Sequence, residues 1–272
     1  MPEHQLSRLQ QEELKILKVF VKLCEENRLR YFIWGGSMLG AVRHQGFIPW
    51  DDDIDVSMPR PDFERLLEIA PALLPETLYL STYRLGAEHT TLVAQIMNRH
   101  KDFTLNNAAR QVRTGAWIDI LVIDGAPKPG PGRALFAMRY MVHRMMNQFA
   151  HFDTGVNLNK ANRPFYERLA IRFAQLTHIE RRLDPVKLGD RFHRFLKRRD
   201  YDESEYVAPF MGAAKMREII PRAWIGTKGR YQFEDITVNG PEQYDPYLSK
   251  YYGDYMTPPP EHQRSGHNVR EA

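Results

Sequence analysis

The amino-acid sequence predicts a mixed α/β (α+β) fold, a sheet-and-helix core that carries a helical insertion. Three observations predict it. Apolar residues recur at three- and four-residue steps near the N-terminus, the pattern of an amphipathic helix. Short apolar runs bounded by Gly or Pro then alternate with helical stretches as far as residue 127. Beyond the loop Pro127-Lys128-Pro129-Gly130-Pro131-Gly132 the pattern turns to long helices. With 272 residues, 43% of them hydrophobic, the chain can bury a sizeable core. No repeat or low-complexity linker divides it, so it reads as one unit over 1–272: a core in 1–127, a basic helical insertion in 128–200 and a completing segment in 201–272.

The elements follow in order. Leu14, Leu17, Val21 and Cys24, with Ile16, Phe20 and Leu23, form the apolar side of a first helix ending near Asn27. Tyr31-Phe32-Ile33-Trp34 reads as a buried strand stopped by Gly35-Gly36, with Ser37 at the N-cap of the helix that begins Met38-Leu39-Gly40. A second extended segment centres on Asp53-Ile54-Asp55-Val56, and a helix restarts after Pro61. Further strands are expected at 77–82, 92–97 and 117–123, with Asp124 in a turn, and helices at 134–149 and 164–183. Alternation at Tyr231, Phe233, Ile236 and Val238 then gives strands, followed by a Tyr-rich helix in which Tyr244, Tyr247, Tyr251 and Tyr255 recur at helical steps and pack into the core.

Charge and composition exclude several classes. Charged residues interrupt every long apolar run, so no segment reaches the ~18 residues that a membrane-spanning helix needs, and the polar residues 1–11 hold no signal-like core. A cytoplasmic protein is expected. The single cysteine, Cys24, falls in the first helix's apolar pattern and reads as a small core residue. Residues 128–200 hold 16 basic and 6 acidic side chains, a net +10 against −6 for the remainder. Such a field attracts phosphates or an anionic bilayer, so peripheral association with the inner membrane face is expected, through helix 134–149 with its Met and aromatic residues beside Arg139, His143 and Arg144.

The chemistry centres on carboxylates. In an extended strand Asp51, Asp53 and Asp55 share one face. At a spacing of roughly 6.5–7 Å, neighbouring like charges repel by about 2.5 kcal/mol at an effective dielectric of ~20. A hard cation such as Mg²⁺ or Mn²⁺ removes that cost and leaves positions open for phosphate oxygens. The flanking Phe47-Ile48-Pro49-Trp50 is an unsuitable setting for a merely solvated acidic loop. An EF-hand loop from Asp51 is excluded, because Val56 and Asp62 stand where Gly and Glu are required. Asp119 interrupts the apolar run 117–123 and supplies a carboxylate from a later strand. A Gly-Ser turn, an Asp-x-Asp pair and a third carboxylate resemble the arrangement of polymerase-β-type nucleotidyltransferases. Catalytic roles are thus expected for Asp53, Asp55 and Asp119, and metal ligation for these and Asp51.

The segment Gly35-Gly36-Ser37-Met38-Leu39-Gly40-Ala41-Val42-Arg43-His44-Gln45-Gly46-Phe47-Ile48-Pro49-Trp50-Asp51-Asp52-Asp53-Ile54-Asp55-Val56 resembles the signature of the LicD family. The likeness continues at Trp117-Ile118-Asp119-Ile120 with Asp124-Gly125, at 233–240, at Tyr251-Tyr252-Gly253-Asp254-Tyr255-Met256 and at Pro259-Pro260, while the basic middle carries little of it. Val122-Ile123 departs from the Phe-Pro-Leu often found there. The family includes bacterial phosphocholine transferases and is related to fukutin and fukutin-related protein, which transfer ribitol phosphate. The resemblance implies a nucleotidyltransferase fold and transfer of a phospho-alcohol from a CDP-linked donor to a hydroxyl of a glycan or polymer, teichoic acid or lipopolysaccharide for example, with release of CMP. Nucleic acid is not an expected partner.

Gly36 and Ser37 at a helix N-terminus offer N–H groups to donor phosphates, and Arg43 can clamp them. His44, Arg99, Lys101, Arg264 and His267 are candidate substrate contacts. Two other functions use the same features. An enzyme that attacks a nucleoside triphosphate and releases pyrophosphate needs the same acidic scaffold, and a non-catalytic module needs only the basic segment to hold an anionic polymer.

Overall fold

The computed structural model describes residues 6–85, 92–107, 110–151, 172, 182–227, 229–264 and 269–271. Helix α1 (Arg8–Glu26) begins at a capping box: the Gln10 N–H donates to Ser7 Oγ at 3.2 Å, and the Ser7 N–H donates to Gln10 Oε1 at 2.9 Å. Its apolar side, Leu9, Leu14, Ile16, Leu17, Phe20, Val21 and Cys24, is buried against the sheet. Each such side chain contributes about 1.5–3 kcal/mol when fully buried. Cys24 is fully buried, as its place in that pattern implies.

Five strands form the spine of the sheet, in the order β1 (Phe32–Ile33), β2 (Asp55–Pro59), β7 (Trp117–Ala126), β4 (Ala94–Asn98) and β3 (Leu78–Ser81). Strand β2 runs parallel to β7, with Asp55 opposite Asp119, and the β1–β2, β4–β7 and β3–β4 pairs are antiparallel. Helix α2 (Gly35–His44) joins β1 to the acidic run, and α3 (Arg60–Leu73) leads out of β2. Past the end of β2, strand β8 (Tyr206–Ala208) pairs with the second half of β7, and β9 (Ile220–Pro221) pairs with β8. Strand β7 is buried along nearly all its length, which explains its continuous apolar run. The structure is thus mixed α/β.

A second apolar cluster lies under α4 (Pro131–Ala150) and α5 (Pro185–Leu196), where Phe136, Tyr140, Phe192, Phe195 and Phe210 meet. After the short helix α6 (Arg222–Ile225), a hairpin of β10 (Arg230–Phe233) and β11 (Ile236–Asn239) packs Phe233 on Phe47. Helix α7 (Tyr244–Tyr252) sends Tyr247 into the core beside Trp34. Strands β5 (Phe103–Asn107), β6 (Arg110–Thr114) and β12 (Val269–Glu271) form a small separate sheet.

Several details differ from the sequence reading. Helix α2 starts at Gly35, so Ser37 lies inside it and Trp34 takes the cap position. Strand β2 starts at Asp55, which leaves Asp51 and Asp53 in the connection before it. Asp124 belongs to β7 and not to a turn; it is fully buried and accepts two bonds from Arg60, at 2.8 and 2.6 Å. Strand β7 continues past it because β8 supplies pairing after β2 ends. The expected helix 164–183 lies outside the described residues apart from 172, 182 and 183, and α5 was not expected. Among the described residues no helix is long and apolar enough to cross a membrane.

Candidate active site

Register creates the site. The parallel pairing of β2 and β7 sets Asp55 directly opposite Asp119, and Asp53 reaches the same place from the extended connection two residues earlier. One carboxylate oxygen from each of Asp53, Asp55 and Asp119 lies within 4.8 Å of the others. The backbone around them is tied down. The Asp55 N–H donates to Ser37 Oγ at 2.9 Å, the Trp34 N–H to the Asp55 carbonyl at 2.9 Å, and the Asp119 N–H to the Ile54 carbonyl at 2.8 Å. Gln95, opposite Asp119 on β4, donates from Nε2 to Asp119 Oδ1 at 2.7 Å.

Gly35-Gly36 lets this happen. Gly35 has φ +51, and a Cβ there would stand 3.0 Å from Asp55 Oδ2; a Cβ on Gly36 would stand 2.7 Å from Asp51 Oδ2. Asp51 is therefore set against the glycine turn and is not one of the three converging carboxylates. The Gly35 N–H donates to the Tyr247 hydroxyl at 2.9 Å, and the Ser37 hydroxyl is engaged by Asp55. Ser37 thus acts by holding the start of β2, because α2 begins three residues earlier than a Ser37 cap would require.

Two unit charges 4.8 Å apart repel by roughly 3.5 kcal/mol at an effective dielectric of ~20. Burial, then Asp53, Asp119 and Asp51, hold the Asp55 carboxyl well above its ordinary range. An all-carboxylate set of hard oxygen donors fits Mg²⁺ or Mn²⁺ and not a soft metal. Within electrostatic reach of it is a residue that the sequence reading missed. Glu13 of α1 is completely buried, neither of its oxygens has a hydrogen-bond partner, and burial together with Asp53, Asp52, Asp119 and Asp51 raises its proton affinity strongly. Its signal was present: Glu13 stands between Leu9 and Leu17, in the middle of the apolar side of α1.

The other wall is basic and aromatic. Trp50 precedes the acidic run and carries the Arg264 guanidinium 4.5 Å and the Arg43 guanidinium 5.9 Å from its ring centre, with His44 edge-on at 6.2 Å. Arg43 also donates to the Tyr255 carbonyl at 2.8 Å, and Arg264 to the Pro259 carbonyl at 2.9 Å. The structure therefore groups three of the expected contacts, Arg43, His44 and Arg264, about one indole. Tyr252, which was not singled out in the sequence, borders the acids: its phenol is raised by burial and then by Asp55, Asp51 and Asp53. Arg99 is turned elsewhere, donating to the Glu76 carbonyl at 2.9 Å and lying over Tyr79, since it follows the far end of β4 from Gln95. Lys101 is exposed beyond it, and His267 lies outside the described residues.

Comparison with known proteins agrees with this geometry. The family model described as "LicD/FKTN/FKRP, nucleotidyltransferase domain" matches residues 28–105. The chain is 28% identical over 271 residues to the lipopolysaccharide cholinephosphotransferase LicD of Haemophilus influenzae, covering 95% of this chain and 94% of that protein. It is 42% identical over 57 residues, 21% of either chain, to an uncharacterized protein of Rickettsia prowazekii. The matched region contains the glycine turn, the acidic run and β2, and register brings Asp119 to them from outside it. Over residues 28–105 the chain matches the LicD family model, and along nearly its whole length it is similar to a LicD protein.

Proposed function

We propose that this protein transfers a phospho-alcohol, phosphocholine foremost, from a CDP-linked donor to a hydroxyl of a cell-surface glycan such as lipopolysaccharide, releasing CMP. The observation that carries the reading is the convergence of Asp53, Asp55 and Asp119 at one register position, in a chain whose full-length relative is a cholinephosphotransferase. The acceptor oxygen forms a bond to the phosphorus that bears the alcohol. The bond from that phosphorus to the CMP oxygen breaks, and the hydroxyl proton passes to a carboxylate or to solvent. Little covalent chemistry is asked of the protein, so positioning and charge control dominate.

Asp53, Asp55 and Asp119 are the residues that would hold Mg²⁺ or Mn²⁺, with Asp51 available beside them. When bound, the cation neutralises phosphate charge. Arg43 and Arg264, which lie over Trp50, are the residues that would meet the donor's phosphates. Gly36 leaves its backbone close to the acids without a side chain in the way. A cytoplasmic location, peripheral to the membrane that carries the acceptor, belongs to the same proposal.

The test is a donor screen. Purified protein is incubated with CDP-choline, CDP-ribitol, CDP-glycerol and CTP, with and without Mg²⁺ or Mn²⁺, and a glycan acceptor. CMP released only with metal and one CDP-alcohol is the expected result. Pyrophosphate from CTP would make the protein a nucleotidyltransferase, and turnover with none of them would leave a binding module.

A further inference from the structure

The Glu13 side chain is completely buried, and neither carboxylate oxygen has a hydrogen-bond partner. Leaving a buried polar group unsatisfied costs about 1–3 kcal/mol, and more for a charged one. Position 13 lies between Leu9 and Leu17 on the side of α1 that packs into the core, where a leucine would serve the fold better. One turn earlier Gln10, also buried, donates from Nε2 to the Asp51 carbonyl at 2.8 Å, so this face of α1 is fastened to the acidic run. The electrostatic neighbours of Glu13 are Asp53, Asp52, Asp119 and Asp51, with Asp53 the strongest. A buried carboxyl group with two uncommitted acceptor oxygens thus stands one turn from the Gln10–Asp51 bond, within electrostatic reach of the acid cluster.

We infer that Glu13 is a positioning carboxylate of the cation site, a fourth acidic group near Asp53, Asp55 and Asp119 that strengthens their hold on a divalent ion. This rests on the metal-dependent reading above and extends it to a residue outside the acidic run. A hydrophobic side chain at 13 would relieve the fold and weaken the site, so the helix carries the carboxyl for the cation.

Direct titration with Mn²⁺ tests it, followed by calorimetry and by the rise in thermal midpoint, on the full chain with no donor or acceptor present. Glu13→Gln keeps the volume and removes the charge, whereas Glu13→Asp keeps the charge and gives up a methylene. Half-saturation should move to at least ten times more Mn²⁺ in Glu13→Gln, less far in Glu13→Asp, and the metal-free midpoint of Glu13→Gln should stay at or above wild type. If Glu13→Gln does not fold, Glu13→Leu takes its place as the uncharged variant. Binding by Glu13→Gln equal to wild type, or closer to wild type than that of Glu13→Asp, overturns the assignment and leaves the metal reading standing. Wild-type protein that takes up no Mn²⁺ overturns both.

Discussion

The acidic site and the basic segment 128–200 use charge in opposite ways. At the site like charges are concentrated: three carboxylates converge, Glu13 lies within their electrostatic reach, and the backbone of Asp55 and Asp119 is pinned so that they cannot move apart. Among the described residues of the basic segment like charges are dispersed, and several are occupied. Arg133 donates to the Pro127 carbonyl and lies over Tyr206, Arg144 reaches the carbonyls of Phe210 and Gly212, Arg139 lies over Phe195, and Lys197 pairs with Glu64. A net charge of +10 therefore says less about ligands than three carboxylates within 4.8 Å. Concentration against a fixed backbone demands an outside partner; dispersion over aromatic faces and carbonyls is satisfied internally.

The sharpest way to break this contrast is to remove one charge from the concentrated side. Asp53→Asn keeps the shape and deletes a ligand, and Asp55→Asn does the same at the start of β2. Turnover should fall by about 10³-fold or more, roughly 4 kcal/mol of lost transition-state stabilisation. Metal-free stability should hold or rise, because a repulsion is relieved. CMP release and a metal-free melting curve check both halves; an unfolded Asp53→Asn protein, or one with wild-type turnover, would defeat the role given to the cluster.

A buried charge with its own partner should behave in the reverse manner. Arg60 and Asp124 are 7% and 0% exposed and share two hydrogen bonds. Asp124→Asn leaves the guanidinium poorly matched inside the protein, which costs about 3–5 kcal/mol of stability. Urea unfolding should show that loss with or without Mn²⁺, whereas the Asp53→Asn effect should depend on the metal.

Removing the metal also gives the contrast a pH signature. Burial pushes the Glu218 carboxyl up to about 7, against about 4.3 in an unfolded chain, and Asp55 is raised for the reasons above. A carboxyl group raised on folding binds its proton more tightly in the native state. Its contribution is full below the unfolded value and is lost as pH rises through the folded one. The Glu218 contribution should therefore fall between about pH 4.5 and 7, by up to 1.4 kcal/mol for each unit, against an opposite slope from His193, which burial lowers to about 3. Mn²⁺ should flatten the share that comes from the cluster and leave that of Glu218, which Glu218→Gln removes. Chemical denaturation of wild type and Glu218→Gln at several pH values, with and without Mn²⁺, isolates the Glu218 share from that of His193; a wild-type-minus-variant difference that rises over this window contradicts the assignment.

How far the sequence was legible follows the same division. The glycine turn, the acidic run and Asp119 could be read because local spacing and an interrupted apolar run mark them, and the parallel register of β2 and β7 then joined them. Glu13 was passed over because helical periodicity was applied to apolar residues alone, while its meaning depends on what α1 covers. Ser37 was read as a cap because a single sequence does not fix where a helix begins to within two residues. Asp124 next to Gly125 looked like a turn, yet Arg60 makes it a strand residue from 64 positions away. Strands β5 and β6 are short and polar in sequence, without the apolar alternation that would reveal them.

The smallest expected effect concerns what α4 leaves exposed in the basic segment. Helix α4 is apolar on two opposite sides. Phe136 and Tyr140 face α5, while Leu135, Met138, Met141, Val142 and Met145 are exposed, Met138 by 60%. The expected contact residues Arg139, His143 and Arg144 turn toward the packed side, where His143 stacks on Phe192 and Phe195. No Asp or Glu occurs in residues 128–151. The prediction is that a shallow, reversible contact with an anionic bilayer would use the methionine side of α4, with the surrounding positive charge adding attraction that salt screens. Each methionine inserted in part is worth about 1 kcal/mol, or roughly a fivefold change in partitioning. Met138→Glu and Met145→Glu should each weaken flotation with vesicles containing anionic lipid by about that factor, or somewhat more, since the new charge is also repelled. CMP release with a water-soluble acceptor should stay at the wild-type level, because neither residue borders the carboxylates. Equal failure of the wild type to bind anionic and neutral vesicles removes the membrane contact from the proposal, and binding that the two substitutions do not touch assigns it to another surface.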